Sequence, residues 1–180
     1  MLSVGQKFPA YSKLATVSIQ DGKEFATITD QDHIKAKKWL VMFWYPKDFT
    51  FVCPTEIADF NDHVKDFAEK GAQLVGASTD TEYVHLAWRQ SHPGLKNLEF
   101  PLLADTSKSL AEELGILEAK EKIAYRATFI VDEAGIIRWV SVNDLSVGRN
   151  VNEVLRTLDA LQTGELCPAS WTKGQKTLSN

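Results

Sequence analysis

The chain has 180 residues, 44% hydrophobic and 24% charged, with a formal net charge of -4; these values suit one packed domain with a tail and argue against disorder. An acidic sequence pI near 5.6 and the lack of any Lys/Arg block disfavour nucleic acid as a partner. The longest apolar run, 39–45, is too short to span a bilayer, and the opening MLSVGQKFPAYSK lacks the basic-then-apolar order of an export signal, so a cytoplasmic setting without a membrane partner is expected.

The turn signal Asp21-Gly22 precedes a short β-branched strand over 23–29 (KEFATIT). The continuous apolar run 39–45 (WLVMFWY), ended by Pro46, reads as a strand buried on both faces. Ile57, Phe60, Val64 and Phe67 make one apolar helical stripe that stops at Lys70-Gly71. A second central strand follows over 73–78 (QLVGAS). Thr79-Asp80 is placed to cap a helix carrying Val84, Ala87 and Trp88. A short strand or loop is expected over 100–104. Ser107 is placed to cap a helix carrying Leu110 and Leu114, ended by Gly115.

Two strands, 125–131 (YRATFIV) and 136–142 (IIRWVSV), flank the turn 132–135 and read as a hairpin. Val151, Val154, Leu155, Leu158 and Leu161 define a last helix, opened by Asn150 and closed by Gly164. Residues 165–180 are polar and read as a docked or mobile tail. This order predicts an α/β protein with a central mixed sheet and helices on both faces, in the order of a thioredoxin-like fold. The expected organisation is a domain over 1–164 and a C-terminal tail over 165–180.

There are two cysteines, Cys53 and Cys167. In a reducing compartment a disulfide between them would be transient and catalytic; two inert buried thiols is the alternative. Residues 46–56 read PKDFTFVCPTE, placing Pro46, Thr50 and Cys53 in a P-x-x-x-T-x-x-C pattern between a buried strand and a helix. Pro54 fits only a first helical turn, where its missing N–H breaks no bond. Cys53 therefore sits at a helix N-terminus, where free N–H groups and the helix dipole favour an anionic sulfur.

Ionisation alone is a limited gain. An ordinary thiol with a pKa of about 8.5 gains roughly thirty-fold from complete ionisation at neutral pH. Fast nucleophilic attack also needs donors placed where charge develops as the attacked bond breaks. Thr50, one turn before Cys53, can hold an oxygen of the attacked group or the sulfur. An arginine is the other expected donor, and spacing does not choose which.

The segment FWYPKDFTFVCPTE resembles the active-site signature of typical two-cysteine peroxiredoxins, in particular the alkyl hydroperoxide reductase C group. The likeness runs along nearly the whole chain. DTEYVHLAW (80–88) resembles the family's D-S-x-x-x-H-x-x-W block, PLLAD (101–105) matches in type, and YRATFIVD (125–132) resembles R-x-x-F-I-x-D. LCPASW (166–171) resembles the resolving-cysteine motif. The resemblance implies a thioredoxin-like fold with peroxiredoxin-type additions. It makes Arg126 the catalytic arginine, oriented by Glu56, and Cys167 the resolving thiol.

The activity it implies is reduction of hydrogen peroxide and organic hydroperoxides to water and alcohols. Cys53 would become a sulfenic acid and then form an intersubunit disulfide with Cys167. Partners implied are a dithiol reductase (thioredoxin, a flavoprotein partner or a small C-x-x-C reductase) and a second copy of the chain, in a homodimer assembled into a decamer. No metal, haem or flavin is implied. The family's peroxide-sensitive members carry a Gly-Gly-Leu-Gly segment and a C-terminal helix ending in Tyr-Phe. Here Gly94-Leu95 alone resembles the former, and 173–180 (KGQKTLSN) lacks the latter.

Other readings are weaker. His33, His63, His85 and His92 show no metal-ligand spacing with either cysteine. A Cys/His hydrolase would need a histidine near Cys53, and the sequence leaves His85 available for that. A thioredoxin-type reductase would need C-x-x-C, and Cys53 is followed by Pro-Thr-Glu. A holdase or peroxide-sensing relay on the same fold would not need Cys167.

Overall fold

The structure is a computed structural model, and residues 1–178 are described. It divides into two compact units, Met1–Arg149 and Asn150–Asn180.

The first unit is built on a seven-stranded mixed sheet in the order β2-β1-β5-β4-β3-β6-β7. In its interior β3 (Trp39–Trp44) runs parallel to β4 (Ala72–Ser78) and antiparallel to β6 (Arg126–Val131). β5 (Leu102–Ala104) continues the parallel side, and β7 (Ile137–Asn143) closes the other edge as a hairpin with β6. β1 (Ser12–Thr16) and β2 (Phe25–Thr29) complete the sheet beyond β5.

The period-two alternation of β3 explains its unbroken apolar run. Leu40, Met42 and Trp44 join Phe129, Val131 and Leu103 in a core that α5 (Ser109–Leu114) covers with Leu110, Ala111 and Leu114. Phe43 points to the opposite face. It stacks on Phe60 of α2 (Cys53–Asp62) at a 3.9 Å ring separation and meets Phe100 edge-on at 5.6 Å. Tyr45 continues that face toward Trp88 of α4 (Glu82–Ser91). The expected α/β, thioredoxin-like architecture is thus present, with helices on both faces.

Gly76 in β4 is required by this packing. A Cβ there would lie 2.8 Å from a Leu102 methyl and 2.9 Å from the Phe43 ring.

The elements differ from the sequence reading at several points. The stripe from Ile57 to Phe67 is two helices, α2 and α3 (Val64–Glu69), broken at His63. There the His63 ring donates from Nδ1 to Asp59 O at 2.9 Å and takes the carbonyl that the next helical turn would have used. Two elements were not anticipated. β1 is held by pairing with β2 and β5, and α1 (Asp30–Lys35) starts from a reciprocal Thr29–Asp32 capping box. The α4 cap is Thr81, whose hydroxyl accepts from Val84 N. Asp105, not Ser107, receives the first amides of α5, from Leu110 and Ala111. Residues Pro93–Leu95 form a 3-10 turn with Leu95 buried.

The second unit holds α6 (Val151–Thr163), opened by the Asn150 side chain accepting from Glu153 N and closed by Gly164 in the left-handed region. Its tail bridges Leu166 to Leu178. Ser179 and Asn180, the end of the expected tail, lie outside the described residues. Among the described residues no helix is long and apolar enough to cross a membrane.

Candidate active site

Where β3 ends, Pro46 is buried and the chain turns toward α2. The turn passes through Phe49 in the left-handed region (φ +56°). Asp48 pins it from both sides. Its amide donates to Asp80 Oδ2 at 2.9 Å, and its carboxyl meets His85 Nδ1 at 2.7 Å. Burial raises the Asp48 pKa, and the His85 contact opposes that rise. The Thr50 hydroxyl donates to Lys47 O at 2.9 Å. Cys53 then opens α2, with Pro54 beside it in the first turn.

The helix start differs from the expectation in one respect. Pro54 has no N–H, and those of Thr55 and Glu56 both close on Val52 O. The first-turn donors that the sequence offers the sulfur are thus largely spent on the backbone. Cys53 Sγ is met instead by Arg126 Nη1, at 3.3 Å, with Cys53 fully buried. Arg126 leads β6, and its Nε donates to Leu145 O at 2.8 Å. The same Nη1 lies 2.5 Å from Glu56 Oε2.

Glu56 is the joint of the cluster. Its other oxygen, Oε1, accepts from Arg149 Nε at 2.8 Å and from the Arg149 amide at 3.0 Å. Arg149 is held further by Nη1 donating to Trp44 O at 2.8 Å and Ala127 O at 2.9 Å. Its guanidinium lies over Phe43 and Phe60, 5.3 and 5.7 Å from the ring centroids. Burial lowers the Arg149 pKa, while Glu56 pulls it back up. With the sulfur ionised, two guanidiniums would balance one carboxylate and one thiolate. That pairing is the condition under which buried charges are tolerated.

The structure therefore brings Cys53, Glu56 and Arg126 into contact and places Pro46 and Thr50 on the turn leading to them. Cys167 belongs to the second unit, where its Sγ lies 3.4 Å from Thr163 Oγ1 and 3.7 Å from Ala160 O. Arg149 was missed by sequence reasoning, because no motif signals it. His85 does not serve Cys53. Its Nδ1 is taken by Asp48 and lies 3.3 Å from the Tyr45 hydroxyl, and its Nε2 is 3.3 Å from Leu103 O. Among the described residues no group of three or more His, Cys, Asp or Glu side chains could hold a metal ion.

A thioredoxin-like sheet that delivers a cysteine at a helix N-terminus to a buried arginine defines the thiol peroxidase class. The chain belongs to the AhpC/TSA family, whose family model matches residues 4–140, and within it is a two-cysteine peroxiredoxin of the alkyl hydroperoxide reductase C group. It is 47% identical over 186 residues to alkyl hydroperoxide reductase C of Mycobacterium tuberculosis, covering 99% of this chain and 94% of that protein. It is 44% identical over 182 residues to peroxiredoxin-2 of Mus musculus, covering 97% and 89%. The solved structure of Mycobacterium bovis AhpC superposes with a TM-score of 0.86 at 47% identity, covering 95% of this chain and 98% of that one.

Proposed function

We propose that this peroxiredoxin reduces hydrogen peroxide and organic hydroperoxides to water and alcohols, with Cys53 as the attacking thiolate and Cys167 as the resolving thiol. The observation that carries the reading is the 3.3 Å contact between Arg126 Nη1 and Cys53 Sγ. It places a fixed cation where the sulfur and the departing oxygen would share negative charge.

In the first step Cys53 Sγ attacks one peroxide oxygen. The S–O bond forms, the O–O bond breaks, and the leaving oxygen takes a proton to become water or an alcohol. Cys53 is left as the sulfenic acid. Thr50 has already committed its proton to Lys47 O, so its oxygen is free to accept the peroxide O–H and orient it. Pro46, buried where the turn begins, fixes the backbone that leads to Cys53. Because Cys53 is fully buried, peroxide enters by a shift of the segment around Phe49 and Phe51, which are 58% and 94% exposed.

In the second step Cys167 of a second copy attacks the Cys53 sulfur. The S–S bond forms, the S–O bond breaks, and hydroxide leaves as water. A dithiol reductase then returns both thiols by exchange. We place this cycle in the cytoplasm, in a homodimer that assembles into a decamer. The test is peroxide consumption with dithiothreitol, and then with thioredoxin, a flavoprotein partner and a small C-x-x-C reductase in parallel. Turnover that persists in Cys53→Ser would refute the reading.

A further inference from the structure

We infer that Arg156 is a positioning residue for the resolving step: with Glu153 it clips the tail at Trp171 and so governs how often Cys167 is released to react. The inference rests on reading Cys167 as the resolving thiol. All the groups involved lie within the second unit.

Glu153 and Arg156 stand three residues apart on α6, so their side chains meet on one flank. They form a two-toothed fork, Nε to Oε2 at 2.6 Å and Nη2 to Oε1 at 2.7 Å. The Thr157 hydroxyl donates to the same Oε1 at 3.3 Å. A guanidinium is rigid and planar, so fixing two of its nitrogens aims the third. That third nitrogen, Nη1, donates to Trp171 O at 2.8 Å. The clip therefore grips the tail four residues beyond Cys167.

The tail at that point is held by a few bonds against an unfavourable backbone conformation. Ser170 is in the left-handed region, with φ +59°, a conformation that is unfavourable for residues with a Cβ and is routinely adopted only by Gly and occasionally Asn or Asp. Trp171 is buried, its amide donates to Pro168 O at 3.1 Å, and its indole N–H donates to Gln175 O at 3.0 Å. The turn 168–171 is thus kept in place by its C-terminal anchor, to which Arg156 contributes a charged donor.

On the other side of this turn, Cys167 faces back onto its own helix. Thr163 Oγ1 donates to Ala160 O at 2.7 Å, so its proton is spent. The single thiol proton is left to the helix oxygens, Thr163 Oγ1 at 3.4 Å and Ala160 O at 3.7 Å. A sulfur turned to helix oxygens in this way is not presented for attack on a sulfenic acid of another chain. The tail must lift first, and the Arg156–Trp171 bond opposes the lifting.

The test uses the full chain, reduced and mixed rapidly with one equivalent of hydrogen peroxide. Acid quenching and mass spectrometry resolve Cys53 oxidation from disulfide formation. Arg156→Met keeps the stem and removes the fork. It should speed the disulfide phase roughly threefold to tenfold, the worth of one exposed charge-assisted bond, and leave Cys53 oxidation within about twofold. Glu153→Gln, which loosens the fork without touching Trp171, should give a smaller gain in the same phase.

Salt supplies a readout that a merely structural role would not move. The Arg156 and Glu153 side chains are 30% and 49% exposed, so ions screen the pair. Raising salt from about 0.05 to about 1 M should speed wild-type disulfide formation and leave Arg156→Met flat. Amide exchange over 168–175 should rise in both variants. A disulfide phase in Arg156→Met no faster than wild type would overturn the inference, whether or not the tail exchanges faster. If the wild type forms no Cys53–Cys167 disulfide at all, the reading of Cys167 fails and the inference falls with it.

Discussion

Arg126 Nη1 lies 3.3 Å from Cys53 Sγ and 2.5 Å from Glu56 Oε2, so one nitrogen links the thiol to a carboxylate one turn further along the same helix. Residues three apart on a helix share a face. The carboxylate that binds the arginine and the sulfur that contacts it are therefore fixed to one rigid body. Arg126→Ala should slow the peroxide step by on the order of 10²–10³-fold, the typical cost of a well-placed donor in the transition state. Titrating Cys53 and measuring its oxidation rate in the same variant separates charge stabilisation from ionisation. A rate loss that merely tracks lost thiolate would remove the role given to Arg126.

The two cysteines should behave differently. Cys53→Ser should abolish peroxide reduction, whereas Cys167→Ser should retain a single turnover, since attack precedes resolution. After one equivalent of peroxide, the wild type should run as a covalent dimer on a non-reducing gel. An oxidised species migrating as a monomer would contradict the intersubunit bond.

Glu56 accepts from both Arg126 and Arg149, and all three side chains are nearly inaccessible, at 2%, 4% and 3% exposure. Glu56→Gln leaves two buried guanidiniums sharing a neutral amide. Breaking a buried ion pair on one side costs about 3–5 kcal/mol, and urea unfolding at fixed protein concentration should show a loss of that order. A midpoint within error of wild type would mean that Glu56 is not the joint of the cluster.

His33 supplies a pH dependence. Its ring is buried, at 1% exposure, against the backbone of Asp132. Burial lowers its pKa from 6.5, while Asp30, Asp132 and Asp32 pull the other way. The folded protein then binds this proton more weakly than the unfolded chain, so stability rises with pH across the window. The contribution is fully present above about pH 6.5 and is lost as pH falls below it toward the lowered folded value. His33→Leu should remove a slope of at most about 1.4 kcal/mol per pH unit from urea stability between about pH 6.5 and pH 5. Parallel wild-type and variant curves over that range would show that His33 carries none of it.

The tail should protect the enzyme from excess peroxide. Past Trp171 the described residues form no helix, and an isolated Leu166–Leu178 bridge closes them. Few buried contacts mean a small free energy of local opening. Disulfide formation should therefore outrun a second oxidation of the sulfenic acid, which is normally irreversible. Intact mass spectrometry during turnover in high peroxide, with reductant present, should find Cys53 free of sulfinic acid. Rapid sulfinic acid build-up at low peroxide would overturn this.

The order of elements and the position of Cys53 were legible because their signals are local. Pro46 stops β3, Pro54 confines Cys53 to a first turn, and the apolar run of β3 and the periodicity of α6 lie in residues close in sequence. Capping residues were less secure, since Asp105 reaches forward to Leu110 and Ala111 where a nearer Ser107 was available. Resemblance alone singled out Arg126, for a strand arginine has no spacing to mark it. Arg149 and β1 depended on the closed sheet. Arg149 is gripped by Trp44 O and Ala127 O, carbonyls brought together only when β3 pairs with β6. β1 is a strand because β2 and β5 flank it. Turns and helix starts are set by interactions among neighbours, whereas the second guanidinium and the edge of the sheet are set by backbone groups distant in sequence, whose meeting is decided when the whole core packs.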